Sequence, residues 1–190
     1  MDSAALDPEN TDAQLLAAAA SGEHEAFHDL MDRHAERLFR LACRLVGNKA
    51  DAEDVVQETF VAAFEHMAGF QGRSTVKTWL TRILMRRAAR CHRRRARKGT
   101  VPLARFMAGG DEALSSGDGS ASEKTARRLD VERALQDLSP DHREVVVLRE
   151  FQGMSYAEMA EVLNVPQGTV ESRLYRARRS LQHALREYLP

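Results

Sequence analysis

The sequence predicts an all-α protein made of two small helical domains joined by a flexible linker, the C-terminal one a helix-turn-helix. Apolar residues recur with the helical period from about Gln14 to Lys98 and again from about Ala126. Neither stretch shows strand-like alternation. Between them, Gly99 to Thr125 carries Gly109-Gly110, Ser115-Ser116-Gly117 and Gly119-Ser120, a composition that cannot bury enough apolar surface to order itself. The expected organisation is a tail over 1–13, a first domain over 14–98, a linker over 99–125 and a second domain over 126–190.

At 190 residues the chain has room for one large or two small domains, and its 28 Lys and Arg balance 28 Asp and Glu. Binding to a polyanion would therefore have to come from uneven distribution of charge. That distribution is very uneven: Arg82 to Lys98 contains no acid, and Asp51 to Glu65 contains no base. Cys43 and Cys91 stand far apart, so neither a disulfide framework nor a zinc finger is implied. They fit small buried or half-buried side chains in a reducing cytoplasm. Asp2, Asp7, Glu9 and Asp12 precede the Leu15 to Ala20 run, the wrong sign for a signal peptide, and no apolar stretch approaches membrane-spanning length. A soluble, cytoplasmic protein with no membrane insertion is expected.

In the first domain, His24-Glu25-Ala26-Phe27-His28 matches the letters of a zinc-protease motif, with His34 where a third ligand could fall. Met31 stands where a chain-reversing glycine would be needed, and in a continuing helix His28 and His34 lie about 9 Å apart along the axis. Surface histidines on an amphipathic helix, with Phe27, Leu30, Met31 and Leu38 inside, are the better reading. No metal, cofactor or catalytic residue is expected.

The next helix is acidic. Val56, Phe60, Ala63, Phe64 and Met67 are its expected core stripe, and Asp51, Asp54, Gln57, Glu58 and Glu65 collect on another side. Asp54 and Glu58, four residues apart, repel one another slightly, so local stability does not explain them. A basic protein partner would, whereas the alternative is a solvated acidic face. After the loop Phe70 to Ser74, Val76, Leu80, Ile83, Leu84, Ala88 and Cys91 mark a buried stripe. Arg82, Arg86, Arg90, Arg93 and Arg97 form a ladder of like charge on the same helix, which a nucleic-acid backbone neutralises and water only screens. Phe70 and Trp79 are placed to stack on unpaired bases, although Trp79 equally fits the core.

In the second domain, Leu129, Val131, Leu135 and Leu138 resume the helical period, and Ser139-Pro140 reads as a cap and first-turn pair for a helix carrying Val145 to Leu148. Ser155 and Glu158 form a capping box for a short helix with Met159, Ala160 and Leu163 on its apolar side. Asn164-Val165-Pro166 ends it. Val170, Leu174, Ala177 and Leu181 are the buried stripe of the following helix, which leaves Thr169, Ser172, Arg173, Arg176 and Arg179 outside. Hydroxyls and guanidinia on the exposed side of a second helix are what phosphate contact and major-groove reading require.

Taken in order, Asp-Ala-Glu-Asp-x-x-Gln-Glu-x-Phe (51–60), Phe-x-Gly-x-Ser (70–74), Thr-Trp-Leu-x-x-Ile (78–83), a linker, Ser-Tyr-Ala-Glu-Met-Ala (155–160) and Pro-x-Gly-Thr-Val-x-Ser-Arg-Leu-x-Arg-Ala-Arg (166–178) resemble a bacterial extracytoplasmic-function (ECF) sigma factor. The resemblance implies a subunit of RNA polymerase that directs promoter-specific initiation. Asp51, Asp54, Gln57 and Glu58 would contact the clamp helices of core RNA polymerase. Phe70, Gln71, Arg73, Ser74, Trp79, Arg82, Arg86, Arg90 and Arg93 would bind and open the minus-ten element of promoter DNA. Thr169, Glu171, Ser172, Arg173, Tyr175, Arg176 and Arg179 would read the minus-thirty-five element, the linker would thread toward the RNA exit path, and an anti-sigma factor is an expected partner. Family members usually have asparagine where Arg86 stands and often a basic residue where Glu171 stands, so the preferred elements are expected to differ. The competing reading is a stand-alone helix-turn-helix regulator, which would need a dimer interface that the sequence beyond Leu181 does not offer apart from Leu185 and Leu189.

Overall fold

The computed structural model describes residues 11–97 and 119–188, with the backbone alone for 119–126, and among these residues every regular element is helical. The first block holds α1 (Asp12–Ala20), α2 (His24–Val46), α3 (Lys49–His66) and α4 (Val76–Arg97). The second holds α5 (Gly119–Asp137), α6 (Pro140–Val146), α7 (Tyr156–Leu163) and α8 (Gln167–Ala184).

α1 starts inside the expected tail because Thr11 and Gln14 form a capping box, each side chain bonding the other's backbone N–H. It stops at Ser21-Gly22, a break that the periodicity did not signal. The Ser21 hydroxyl donates to the Ala18 carbonyl, and Gly22 takes φ 107°, where a side chain would be strained. α1 is tied to α2 by Asp12, whose carboxylate lies 2.7 Å from His34 Nε2. His34 is thus buried rather than at the surface, as are Phe27, Leu30 and Leu38 beside it. Burial holds its pKa below the usual imidazole value against the opposing pull of Asp12.

α3 buries Ala52, Val55, Thr59, Phe60, Ala62 and Ala63. The expected stripe was rotated at one end. Phe64 is 43% exposed, its ring edge-on to Phe27 at 5.2 Å, while Val55 rather than Val56 is fully inside. In α4, Val76, Leu80, Leu84, Ala88 and Cys91 are buried as expected.

The end of α2 organises the molecule. Gly47 turns the chain at φ 78° and Asn48 caps α3, leaving the last carbonyls of α2 without helical partners. His92 Nε2 donates to the Leu45 carbonyl at 3.1 Å, and Arg95 Nη1 to that of Val46 at 3.0 Å. Arg95 Nε also meets Asp51 at 2.8 Å. From the second block, Gln136 Nε2 reaches the Arg44 carbonyl at 2.8 Å and Arg143 Nη1 the Leu45 carbonyl at 2.6 Å.

α5 begins at Gly119, inside the segment expected to be linker, since Ala121 to Arg127 are mostly good helix formers and the two residues before them do not prevent a start. The rest of that expected linker, 99–118, lies outside the described residues. Val131, expected inside, is exposed. Pro140 occupies the first turn of α6 as expected, but the Ser139 hydroxyl makes no cap bond. Arg143 secures the turn instead, donating to the carbonyls of Leu135, Gln136 and Leu138. α6 then widens into a π-helical turn over Val147–Phe151 and ends at Gly153, φ 67°. One hydrophobic cluster runs through both blocks, including Leu41, Leu80 and Leu84 from the first and Leu148, Met159 and Leu174 from the second.

Two predictions follow from this packing. Arg95→Met should lower stability by about 2 kcal/mol, the scale of a lost charged hydrogen bond with its partner left behind. Arg90→Met, which breaks no ion pair, should stay within about 0.5 kcal/mol, both read by urea denaturation. Glu144 is half-buried in α6, and its pKa is raised from 4.5 to about 7, first by burial and then by Asp141, against Arg173, Arg143 and Arg93. The folded protein therefore holds this proton more tightly than the unfolded chain, and stability should fall as pH rises from 4.5 to about 7. Glu144→Gln should remove that slope and stabilise the protein above pH 7, by on the order of 2 kcal/mol.

Candidate functional site

The helix-turn-helix is built from local signals. Ser155 caps α7, accepting from the Glu158 N–H while the Glu158 carboxylate accepts from the Ser155 N–H at 2.8 Å. The Ser155 N–H and then the Ser155 hydroxyl, both donating to that carboxylate, hold the Glu158 pKa below its ordinary value. Asn164 ends α7 in the left-handed region at φ 54°, which asparagine tolerates. Pro166 then precedes α8, whose Val170, Leu174 and Ala177 are fully buried.

The opposite side of α8 presents Ser172, Tyr175, Arg176 and Arg179, spaced i, i+3, i+4 and i+7, hence on one face. Tyr175 is 65% exposed, and neither arginine has an ion-pair partner among the described residues. Glu171 is exposed at the edge of this face and accepts from Gln167 Nε2 at 3.0 Å. Thr169 is half-buried, its carbonyl accepting from the Ser172 hydroxyl. Arg173 differs from its neighbours: its guanidinium turns back to Asp141, 2.7 Å away, and helps to fasten α8 to α6.

On α4, Arg86, Arg90 and Arg93 are exposed, and Arg90, Arg93, Arg94 and Arg97 line one concavity. Arg94 was absent from the sequence-derived set although it sits within the run Arg93-Arg94-Arg95. Arg82 is only partly exposed and meets Glu161 of α7 at 3.3 Å. Gln71 and Arg73 project from the exposed loop before α4, with Ser74 half-buried. Phe70 and Trp79 pack ring to ring at 5.3 Å and lean on the core, so both readings of Trp79 keep a geometric basis: one side is buried and the other is open.

On α3 the acidic set divides. Asp54 and Gln57 are exposed, and Val61 (55% exposed), Phe64 and Glu65 continue the same face. Glu58 is half-exposed and lies 3.7 Å from Arg87. Asp51 is turned away, engaged with Arg95 and Asn48. Val61 and Phe64 were missed because apolar residues were assigned inward by default. The signal that could have found Val61 is that it falls in register with Asp54 and Gln57, whereas Phe64, four residues after Phe60 and seven after Gln57, lies between the two faces. Of the protease-like histidines, His24 and His28 are exposed while His34 is committed to Asp12, and no group of three or more metal-ligating side chains occurs among the described residues. No helix among them is long and apolar enough to cross a membrane.

Comparison with known proteins matches this arrangement. Residues 30–98 match the family Sigma-70 region 2, and residues 128–181 match Sigma-70, region 4. The chain is 35% identical over 177 residues to the ECF RNA polymerase sigma factor SigM of Mycobacterium tuberculosis, covering 93% of this chain and 86% of that one. Among solved structures it is similar to CnrH in complex with the cytosolic domain of CnrY, with 32% identity, a TM-score of 0.67, and coverage of 94% of this chain and 99% of that one. It is also similar to the sigma factor RpoE in complex with the anti-sigma factor NepR from Bartonella quintana, with 28% identity, a TM-score of 0.66, and coverage of 85% and 98%. Two helical regions matching these families in this order, with that likeness over nearly the whole chain, make the protein a member of the ECF sigma factor family.

Proposed function

We propose that this ECF sigma factor divides promoter recognition between its two domains. The exposed face of α3, through Asp54, Gln57 and Glu58, engages core RNA polymerase, with Asp51 anchoring that helix to α4. The loop Phe70 to Ser74, Trp79 and the arginines of α4 at 82, 86, 90 and 93 engage the minus-ten element and its opened strand. Thr169, Glu171, Ser172, Tyr175, Arg176 and Arg179 read the minus-thirty-five element, and Arg173 holds α8 in position to do so. The work is binding and strand capture in the cytoplasm, without catalysis by this chain. An anti-sigma factor regulates it, as NepR accompanies the related RpoE.

The observation that carries this reading is the open face of α8, where Tyr175 and two unpaired arginines lie opposite a fully buried stripe. A merely structural helix has no use for that arrangement. A stand-alone regulator is not favoured, because it leaves the basic α4 and the exposed face of α3 without a task. Promoter-specific transcription by core polymerase supplied with the purified chain tests the reading, and the absence of any such transcription would refute it.

Two predictions separate the surfaces. Asp54→Lys with Glu58→Lys should abolish binding to core polymerase while circular dichroism shows helical content intact. Arg176→Ala should change base preference in a scan of minus-thirty-five variants by roughly 1–3 kcal/mol at one position, the worth of a bidentate contact. Arg173→Ala should instead lower the melting temperature and leave the preference profile unchanged.

A further inference from the structure

We infer that Glu171 reads a cytosine in the minus-thirty-five element, through the amino group that this base presents in the major groove, and that Gln167 is the positioning residue that holds Glu171 for the task. The inference rests on the assignment of α8 to that element, proposed above, and adds the base that is selected. Gln167 and Glu171 stand four residues apart near the start of α8, both exposed. Gln167 Nε2 donates to Glu171 Oε1 at 3.0 Å, whereas Oε2 has no partner among the described residues. One carboxylate oxygen is fixed and the other is open.

Structural duties do not account for this carboxylate. It lies past the first turn of α8, where the helix dipole would have favoured it. No described cation pairs with it, since Arg173 is turned to Asp141 and Arg178 to Glu150. Gln167 and Tyr175, its neighbours one turn away on either side, are uncharged. Phosphate contact is excluded by sign, because a carboxylate is repelled by the DNA backbone. What it can take from a duplex is a base amino group, and residues near the N-terminus of a recognition helix are those that reach base edges.

Two bases carry such an amino group in the major groove, cytosine at N4 and adenine at N6; guanine and thymine offer only acceptors there. Adenine also sets the N7 lone pair beside its amino group, and an ionised carboxylate has no proton to give it. Cytosine has only a C–H in that place. The open oxygen of Glu171 therefore selects cytosine. Gln167 contributes by holding the side chain in place beforehand, so that less freedom is lost when the base contact forms.

The test uses the full chain with core polymerase on a promoter library in which every minus-thirty-five position is varied. Wild type should favour cytosine at one position by about fivefold or more, the lower end of what a specific base contact is worth. Glu171→Gln, whose amide supplies a donor as well as an acceptor, should lose that preference at that position alone. Gln167→Ala should reduce it at an unchanged melting temperature. A duplex with N4-methylcytosine there, in which a methyl group replaces the amino hydrogen that faces the groove, should weaken binding by wild type and not by Glu171→Gln. Lack of any cytosine preference would overturn the inference. So would a Glu171→Gln profile that differs from wild type only by uniformly tighter binding, which would make Glu171 a charge that merely repels the backbone. A wild type indifferent to every minus-thirty-five position would instead overturn the assignment of α8 on which the inference rests.

Discussion

The end of α2 is the constraint on which the rest depends. A helix leaves its last carbonyls unsatisfied and carries partial negative charge there. Here Arg44, Leu45 and Val46 each present such a carbonyl in a half-dry setting, and each is taken by a side chain from another helix. His92 and Arg95 bring α4 to that point, and Gln136 and Arg143 bring the second domain. Gly47 is what makes room: a Cβ there would sit 2.3 Å from Gln136 Oε1, and its φ of 78° favours glycine in any case. Arg143 is buried at this junction, and burial pulls its pKa below the normal guanidinium value, yet it stays charged because four carbonyls accept from it.

Arginine serves two opposite purposes in this chain. Arg37, Arg95 and Arg143 spend their planar forks on carbonyls, hydroxyls and carboxylates inside the fold, where five donors in fixed geometry outperform a lysine. Arg86, Arg90, Arg176 and Arg179 keep theirs in solvent. The helix period assigns most of these correctly, since Arg86 and Arg90 fall opposite Leu84 and Ala88. It fails for Arg173 and Arg82, which lie beside exposed positions but find carboxylates at 2.7 and 3.3 Å on other helices. A carboxylate brought near by tertiary structure removes a cation from the reading surface without any change in the local pattern.

What could be read from the sequence follows the same boundary between local and distant causes. The capping box at Ser155, the stripe Val170, Leu174, Ala177 and the break at Gly47-Asn48 are written in neighbouring residues, and the structure has them in place. The start of α1 at Thr11 was equally local and was passed over, because acidic and polar letters obscured a T-x-x-Q box. His34, Phe64 and Asp51 were misjudged for a different reason. Each sits on its helix where periodicity allows two readings, and the choice was made by a partner far away in sequence: Asp12, Phe27 and Arg95 respectively. The packing of the second domain on the first lay beyond any such reading, since its polar bonds fall on main-chain carbonyls, which every residue possesses, and its apolar contacts join stripes that each helix would bury in any case.

The Arg82–Glu161 pair is partly exposed, with Glu161 the more open member, and a pair of that kind contributes about 0–1 kcal/mol, less in salt. A DNA backbone offers one negative charge per roughly 1.7 Å of duplex axis together with the release of its counterions. Against that field a single solvated glutamate is a weak competitor for Arg82. The exposed arginines of α4 run from Arg86 to Arg97, on the same helix as the one that is occupied. If Arg82 meets the opened strand as proposed, it must give up Glu161 to do so, and the weakness of that pair sets how little such an exchange costs.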